Sequence, residues 1–453
     1  MKKKLICLIF SIVSLSVFVF ADDYFSNIPD SSDIRTNLIE EWFESSLNGV
    51  RTSKPTILYN EIGEEFQVRL EEDDSTYKIF VAPHSVIDVD VYSDKGKHTE
   101  RQDVYPGDIE GSWVLIKNKK DDRPLRIRYY FKKDSDVYIQ FSPNGKTSLA
   151  DMVIFDNYAV KGASTGVPFS TFYEASLNDA INITKDIFPW KYVKTFPDLY
   201  HSSKQMCAVI KEKLPSIEYT EDAMIDENNN LVHISNGKAF SESEIHTNKL
   251  QLSSAGFVKW IADGLVEPIA GGKLKRSPLI TETVNVKDNG RQGVLSQIYD
   301  LYFSLNWVRN LSSGIISVYT GRKYLYNKSG VDVKINPFAS TITPNGIINT
   351  VAFIEDSGYS VMVLKSLLYV LASSEPDNFF IGAIRGTDQS VSPEIKAFNE
   401  CVAFFPYFET DGSFFCNVFI NGRLLSLDDF LMIYGGDFVY LTKVRSSEQF
   451  FPD

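Results

Sequence analysis

The sequence predicts an α+β protein: an N-terminal antiparallel β-sandwich or small barrel, followed by a second domain of mixed helices and strands. Three observations predict it. From about Thr56 to Asp156, apolar residues recur at every second position, with turn residues between the runs. Gly162-Ala163-Ser164-Thr165-Gly166 then reads as a linker of small residues. Beyond it helical and strand patterns mix, and one apolar helix, Leu252 to Leu265, carries its own capping serine. The expected divisions are residues 1–21, 22–165 and 166–453.

The first division reads as a secretory signal peptide. Lys2, Lys3 and Lys4 form a positive start, and Leu5 to Phe20 is apolar apart from three serines. Ala21 ends a run suited to signal peptidase, and charged Asp22 follows, so cleavage is expected between them. The apolar run is slightly short for a membrane span; an uncleaved anchor is the alternative. The expected location is therefore the periplasm or the extracellular space.

The chain carries 46 Lys+Arg against 59 Asp+Glu. Removing the three leading lysines leaves 43 basic residues, a net charge of −16. A nucleic-acid partner needs a net basic face, so that class is excluded. Cleavage also leaves an odd set of cysteines, Cys207, Cys401 and Cys416, which is no disulfide framework. Buried free thiols are expected, with a Cys401–Cys416 bridge as the alternative. No metal-ligand spacing occurs and no cofactor is expected.

Among the elements, Asp33 to Leu47 reads as a short amphipathic helix with Leu38, Ile39, Trp42 and Phe43 on one side. Strands are expected at Phe66–Leu70, Val86–Val91, Trp113–Ile116, Leu125–Tyr129 and Val137–Phe141. Ser93–Gly96 and Ser142–Gly145 read as turns, and the basic run Lys117 to Lys120 as a solvated hairpin tip. His84 and His98 read as surface residues. After the linker, Ser176–Phe188 and Tyr200–Leu214 read as helices, and Met224–Ile234 as a hairpin around Glu227–Asn230.

The segment Leu252-Ser253-Ser254-Ala255-Gly256-Phe257-Val258-Lys259-Trp260-Ile261-Ala262-Asp263-Gly264-Leu265 repeats Phe257, Ile261 and Leu265 every fourth residue. It resembles the nucleophile helix of NlpC-like peptidases, papain-fold cysteine hydrolases that cut bacterial cell-wall peptides. Their pattern is Asp/Asn-Cys-Ser-Gly-Phe-Val, with the cysteine at the helix N-terminus, where the dipole favours the thiolate. Gly256-Phe257-Val258 match. Ala255 takes the serine position, and Ser254 stands where the cysteine belongs. A hydroxyl there needs a strong general base.

The resemblance implies a histidine on a later strand, yet His84, His98, His201, His233 and His246 all precede Ser254. The matching strand is Asn399 to Phe408, with Glu400, or Asn399 one register away, at the histidine position. Tyr302–Asn310, Leu367–Ala372 and Phe379–Gly382 extend the resemblance over about residues 170 to 453. Arg309 and Asp300 read as an ion pair, Trp260 and Trp307 as core. The resemblance thus implies an exported envelope protein whose papain-like domain has lost its dyad. Such a domain binds or scaffolds a peptidoglycan peptide or an envelope protein without cutting, and Ser254→Cys with Glu400→His is expected to rebuild a dyad in part. Two rivals stand: an active hydrolase using Ser254 with His233, His246 or Glu400, and a structural or adhesive envelope protein unrelated to peptidases.

Overall fold

The computed structural model describes residue 25 and residues 27–93, 96–284, 301–342, 348–349, 352–388 and 394–453. The expected signal peptide with Ala21 and Asp22, the turn residues Asp94 and Lys95, and Asp300 lie outside them. The protein is α+β and divides into two compact units, residues 1–153 with 160–188, and residues 154–159 with 189–453. The Gly162–Gly166 segment is not a point of division: Gly162 to Ser164 complete a strand, and the chain passes between units at Val153/Ile154, Ala159/Val160 and Phe188/Pro189.

Ten described strands run from Thr56 to Ser164, all but the β9–β10 turn within the first unit: β1 (Thr56–Tyr59), β2 (Glu65–Glu72), β3 (Thr76–Pro83), β4 (Ser85–Ser93), β5 (Gly96–Val104), β6 (Trp113–Asn118), β7 (Pro124–Tyr130), β8 (Val137–Asn144), β9 (Thr147–Ile154) and β10 (Asn157–Ser164). Eight of them form one sheet in the order β1-β2-β3-β6-β7-β8-β9-β10, while β4 and β5 pair only with each other. One meander sheet thus replaces the two facing sheets of a sandwich. His84 and His98 sit on the β4–β5 ribbon or at its base, 2.8 Å from Asp103 and Glu100 respectively.

Alternation explains which face of this sheet is buried. Val81, Trp113 and Tyr129 are successive cross-strand partners, as are Ile79, Leu115, Ile127 and Phe141, so they share one face. Short helical turns cover it. The Asp33–Leu47 segment is α1 (Ser32–Thr36), a π turn over Ile39–Phe43 and α2 (Leu47–Val50), not one helix. Phe43 lies 4.9 Å from Trp113, and Phe172 of α3 (Thr171–Glu174) stacks on Phe141 at 3.6 Å. α4 (Leu177–Thr184) follows, held by a capping box between Ser176 and Asp179.

Lys117 overturns the solvated-tip expectation. It is buried, and its Nζ donates to Phe43 O and Ser45 O, each at 2.9 Å. Burial lowers its pKa.

Arg35 is also a buried cation of this unit. Its Nη1 donates to Tyr173 O at 2.8 Å, its Nη2 to Ala175 O at 2.9 Å and its Nε to Ser31 Oγ at 3.1 Å. The guanidinium also lies over the Trp113 and Tyr129 rings. Tyr129 donates to the same stretch of carbonyls, Phe172 O and Ala175 O.

In the second unit α5 (His201–Lys213) leads to β11 (Ile217–Tyr219), β12 (Ala223–Ile225), β13 (Leu231–His233) and β14 (Leu250–Leu252). β12 and β13 make the hairpin expected around Asn228. Next come α6 (Ser254–Ala270), α7 (Arg276–Leu279), α8 (Phe303–Thr320) and α9 (Tyr326–Ser329). A two-residue ladder, β15 (Thr341–Ile342) with β16 (Ile348–Asn349), precedes β17 (Tyr359–Ser360) and α10 (Leu364–Ser374). The chain continues with β18 (Asn378–Asp388), β19 (Ile395–Phe408), β20 (Phe414–Ile420), β21 (Arg423–Ser426), α11 (Leu427–Tyr434) and β22 (Phe438–Arg445).

The main sheet runs β17-β22-β18-β19-β20-β21, and every pairing in it is antiparallel. One face buries Phe379, Ile381, Ala383, Cys401, Ala403, Phe405 and Tyr440 against Phe257 and Ile261 of α6 and Trp307 of α8. The other face carries Phe404, whose ring meets Phe430 of α11 edge-on at 5.2 Å. α6 is almost wholly buried because it lies between this sheet, α8 and the β12–β13 hairpin.

Candidate functional site

The N-terminus of α6 is the candidate site, because the resemblance in sequence would align Ser254 there with a nucleophile position. Ser253 is the N-cap: its Oγ accepts from Gly256 N at 3.1 Å and donates to Ala223 O at 3.0 Å. Its own N–H reaches the same Ala223 carbonyl at 2.9 Å. A Cβ on residue 256 would clash with that oxygen, so Gly256 is dictated by the close approach of β12. Ser254 opens the helix and is 7% exposed. Trp307 Nε1 donates to Ala255 O at 2.9 Å and ties α8 to the same turn.

What faces this turn from the sheet decides its chemistry. Side chains alternate along β19, and Cys401, Ala403 and Phe405 belong to the core that α6 shares. Glu400 therefore projects to the opposite face. There it accepts a hydrogen bond from Asn421 Nδ2 at 3.4 Å and approaches Tyr434 of α11, whose hydroxyl is raised in pKa by burial and by that carboxylate. Asn399 is the extra residue of a bulge, between the pairs Ile384–Glu400 and Arg385–Phe398, and is exposed. Glu400 is thus not on the face of β19 that shares the α6 core. Replacing Glu400 with histidine beside Ser254→Cys would place the imidazole on the face that carries α11, near Tyr434, and is not expected to rebuild a dyad.

The displaced-base alternatives fare no better. His233 uses both ring nitrogens, Nδ1 at 3.2 Å from Asp222 Oδ2 and Nε2 at 3.3 Å from Glu244 Oε1, and stacks on Phe240. His246 is exposed in the loop before β14. Arg309 is 1% exposed and pairs with Asp356 at 2.9 Å and, more loosely, Asp332 at 3.9 Å. Trp260 and Trp307 are core residues.

The cysteines supply no substitute nucleophile. All three described cysteines are free and buried, and Cys416 pairs in register with Pro406, not Cys401. Burial pushes the Cys207 and Cys401 thiols up to about 12 and Cys416 well above its ordinary value. At pH 8 roughly one such thiol in ten thousand is ionised. Iodoacetamide at pH 8 should therefore leave these three unmodified in the native chain and label all three in denaturing guanidinium, as read by peptide mass spectrometry. Native labelling of Cys401 would contradict its burial.

The chemistry missed in the sequence lies one turn further along α6. Lys259 and Asp263 form an ion pair at 2.6 Å with side chains 1% and 5% exposed. Lys259 Nζ also donates to Ile225 O at 2.9 Å, and Asp263 Oδ1 accepts from Leu274 N at 2.9 Å. Burial raises the Asp263 carboxyl despite the ammonium beside it. The visible signal was the i,i+4 placement of opposite charges inside an otherwise apolar helix.

A family model described as a domain of unknown function (DUF8515) matches residues 24–192, less than half of the chain. That match covers the β-rich unit and carries no activity with it. No curated protein matches the chain, and no solved structure matches it. Among the described residues no helix is long and apolar enough to cross a membrane, and no cluster of potential metal ligands occurs.

Proposed function

We propose that this is an exported envelope protein whose second unit is a degenerate NlpC-like domain, binding or scaffolding a cell-wall peptide or envelope partner without cleaving it. One observation carries the reading. At the helix start where the resembling family keeps its cysteine, this chain has Ser254, and the β19 side chains in the core that α6 shares are Phe398, Cys401, Ala403 and Phe405. A serine without a base in hydrogen-bond reach is a poor nucleophile, and a thiol with a pKa of about 12 is no base at neutral pH. The papain-like assignment itself rests on Gly256-Phe257-Val258 and on an apolar helix packed against an antiparallel sheet.

A fluorophosphonate probe tests the active-hydrolase rival. Incubation with the purified chain should leave Ser254 unlabelled at neutral pH. Labelling that disappears in Ser254→Ala would show an activated hydroxyl and remove the proposal.

A further inference from the structure

We infer that the slot along α6 from Trp260 to Pro268 is a binding site for an extended peptide, occupied in cis by the chain's own segment Phe450–Asp453. The inference does not depend on the fate of Ser254, because the slot lies along the middle and second half of the helix.

The helix is built to receive backbone there. Pro268 sits inside α6 and has no N–H, so the carbonyl of Gly264, four residues earlier, loses its intrahelical donor. Phe451 N supplies the missing hydrogen bond at 2.9 Å. Gly264 itself carries no Cβ, and one placed there would lie 2.8 Å from the Phe450 ring and 2.9 Å from Pro452 N. A freed carbonyl and the absence of a side chain over it are two independent features that serve the same visitor.

Anchors lie on either side of that hydrogen bond. Phe450 is 2% exposed and joins the α6 core, so an aromatic side chain is the apolar anchor. Three residues later, Trp260 Nε1 donates to Asp453 O at 2.9 Å and Lys273 Nζ meets the Asp453 carboxylate at 2.5 Å. Asn229 holds the same ammonium at 2.5 Å. Between the anchors, Phe451 is 65% exposed and makes no demand on sequence. The ligand class is therefore an extended segment with an aromatic anchor, a free N–H directly after it, and an acidic residue three positions beyond the anchor. Carbonyl pairing gives affinity and the two anchors give selectivity. One buried side chain and a few polar contacts hold the segment, which permits local release without global unfolding.

The test titrates a fluorescein-labelled peptide of the sequence Ser447–Asp453 and reads anisotropy. A chain ended after Gln449 should bind it saturably, and the unaltered chain at least tenfold more weakly, because its own segment fills the slot. Pro268→Ala in the shortened chain returns a donor to Gly264 O. It should weaken peptide binding at least fivefold without lowering the melting temperature. Equal binding to the unaltered and shortened chains, or no binding to a shortened chain that still melts cooperatively, would overturn the inference. If the shortened chain loses cooperative melting, Phe450→Ala in the intact chain decides. The peptide must then raise its melting temperature and a peptide with alanine for that phenylalanine must not; no difference between the two peptides overturns the inference.

Discussion

Asp263→Ala is expected to destabilise the second unit by about 3–5 kcal/mol, the cost of stranding a charge whose partner has been removed. The carboxylate holds the Lys259 ammonium at 2.6 Å and the Leu274 N–H at 2.9 Å, and both side chains of the pair are essentially inaccessible. In the variant Lys259 keeps only the Ile225 carbonyl. Lys259→Met combined with Asp263→Leu removes both charges and fills the space, and should recover most of the loss. Denaturant melts of the parent and these two variants check it. A double variant no better than Asp263→Ala would mean that the Leu274 hydrogen bond, not the stranded charge, dominates.

Arg35→Ala is expected to destabilise the first unit by about 3–5 kcal/mol. Two short charge-assisted hydrogen bonds to Tyr173 O and Ala175 O are lost, each worth about 1.5–3 kcal/mol, and a cavity opens beside Trp113 and Tyr129. Tyr129 still reaches Ala175 O, but Tyr173 O loses its closest donor. Arg35→Lys should recover only a minor part, since a single ammonium cannot reproduce a planar fork that spans carbonyls two residues apart. Thermal melts read this directly, and a lysine variant as stable as the parent would show that charge alone, without geometry, holds α3.

Most strands were legible because alternation is a local property. Phe66 to Leu70, Trp113 to Ile116 and Leu125 to Tyr129 fall inside β2, β6 and β7. The α6 start was legible for the same reason, through Ser253 as cap and the four-residue spacing of Phe257, Ile261 and Leu265. What failed depended on register or on distant partners. A single bulge at Asn399 is invisible in sequence, yet it puts Phe398 instead of Asn399 on the core face of β19. Lys117 looked like part of a solvated tip because its acceptors, Phe43 O and Ser45 O, lie more than 70 residues away. The Asp33–Leu47 segment divides into α1, a π turn and α2, and in the π turn Phe43 packs on the distant Trp113. The docking of Phe451 on Gly264 joins segments 187 residues apart, and only the proline and glycine inside an apolar helix hinted at it.

Gly256 shows how a motif residue carries two meanings. In the resembling family it belongs to a catalytic pattern; here its lack of a side chain lets Ala223 O reach the cap of α6. Digestion of purified muropeptides by the intact chain, followed by mass spectrometry, tests the chemistry at the start of α6 most directly. The account predicts that no peptide bond is cut over an extended incubation and that Ser254→Ala behaves as the parent does. Peptide release that Ser254→Ala abolishes would contradict it.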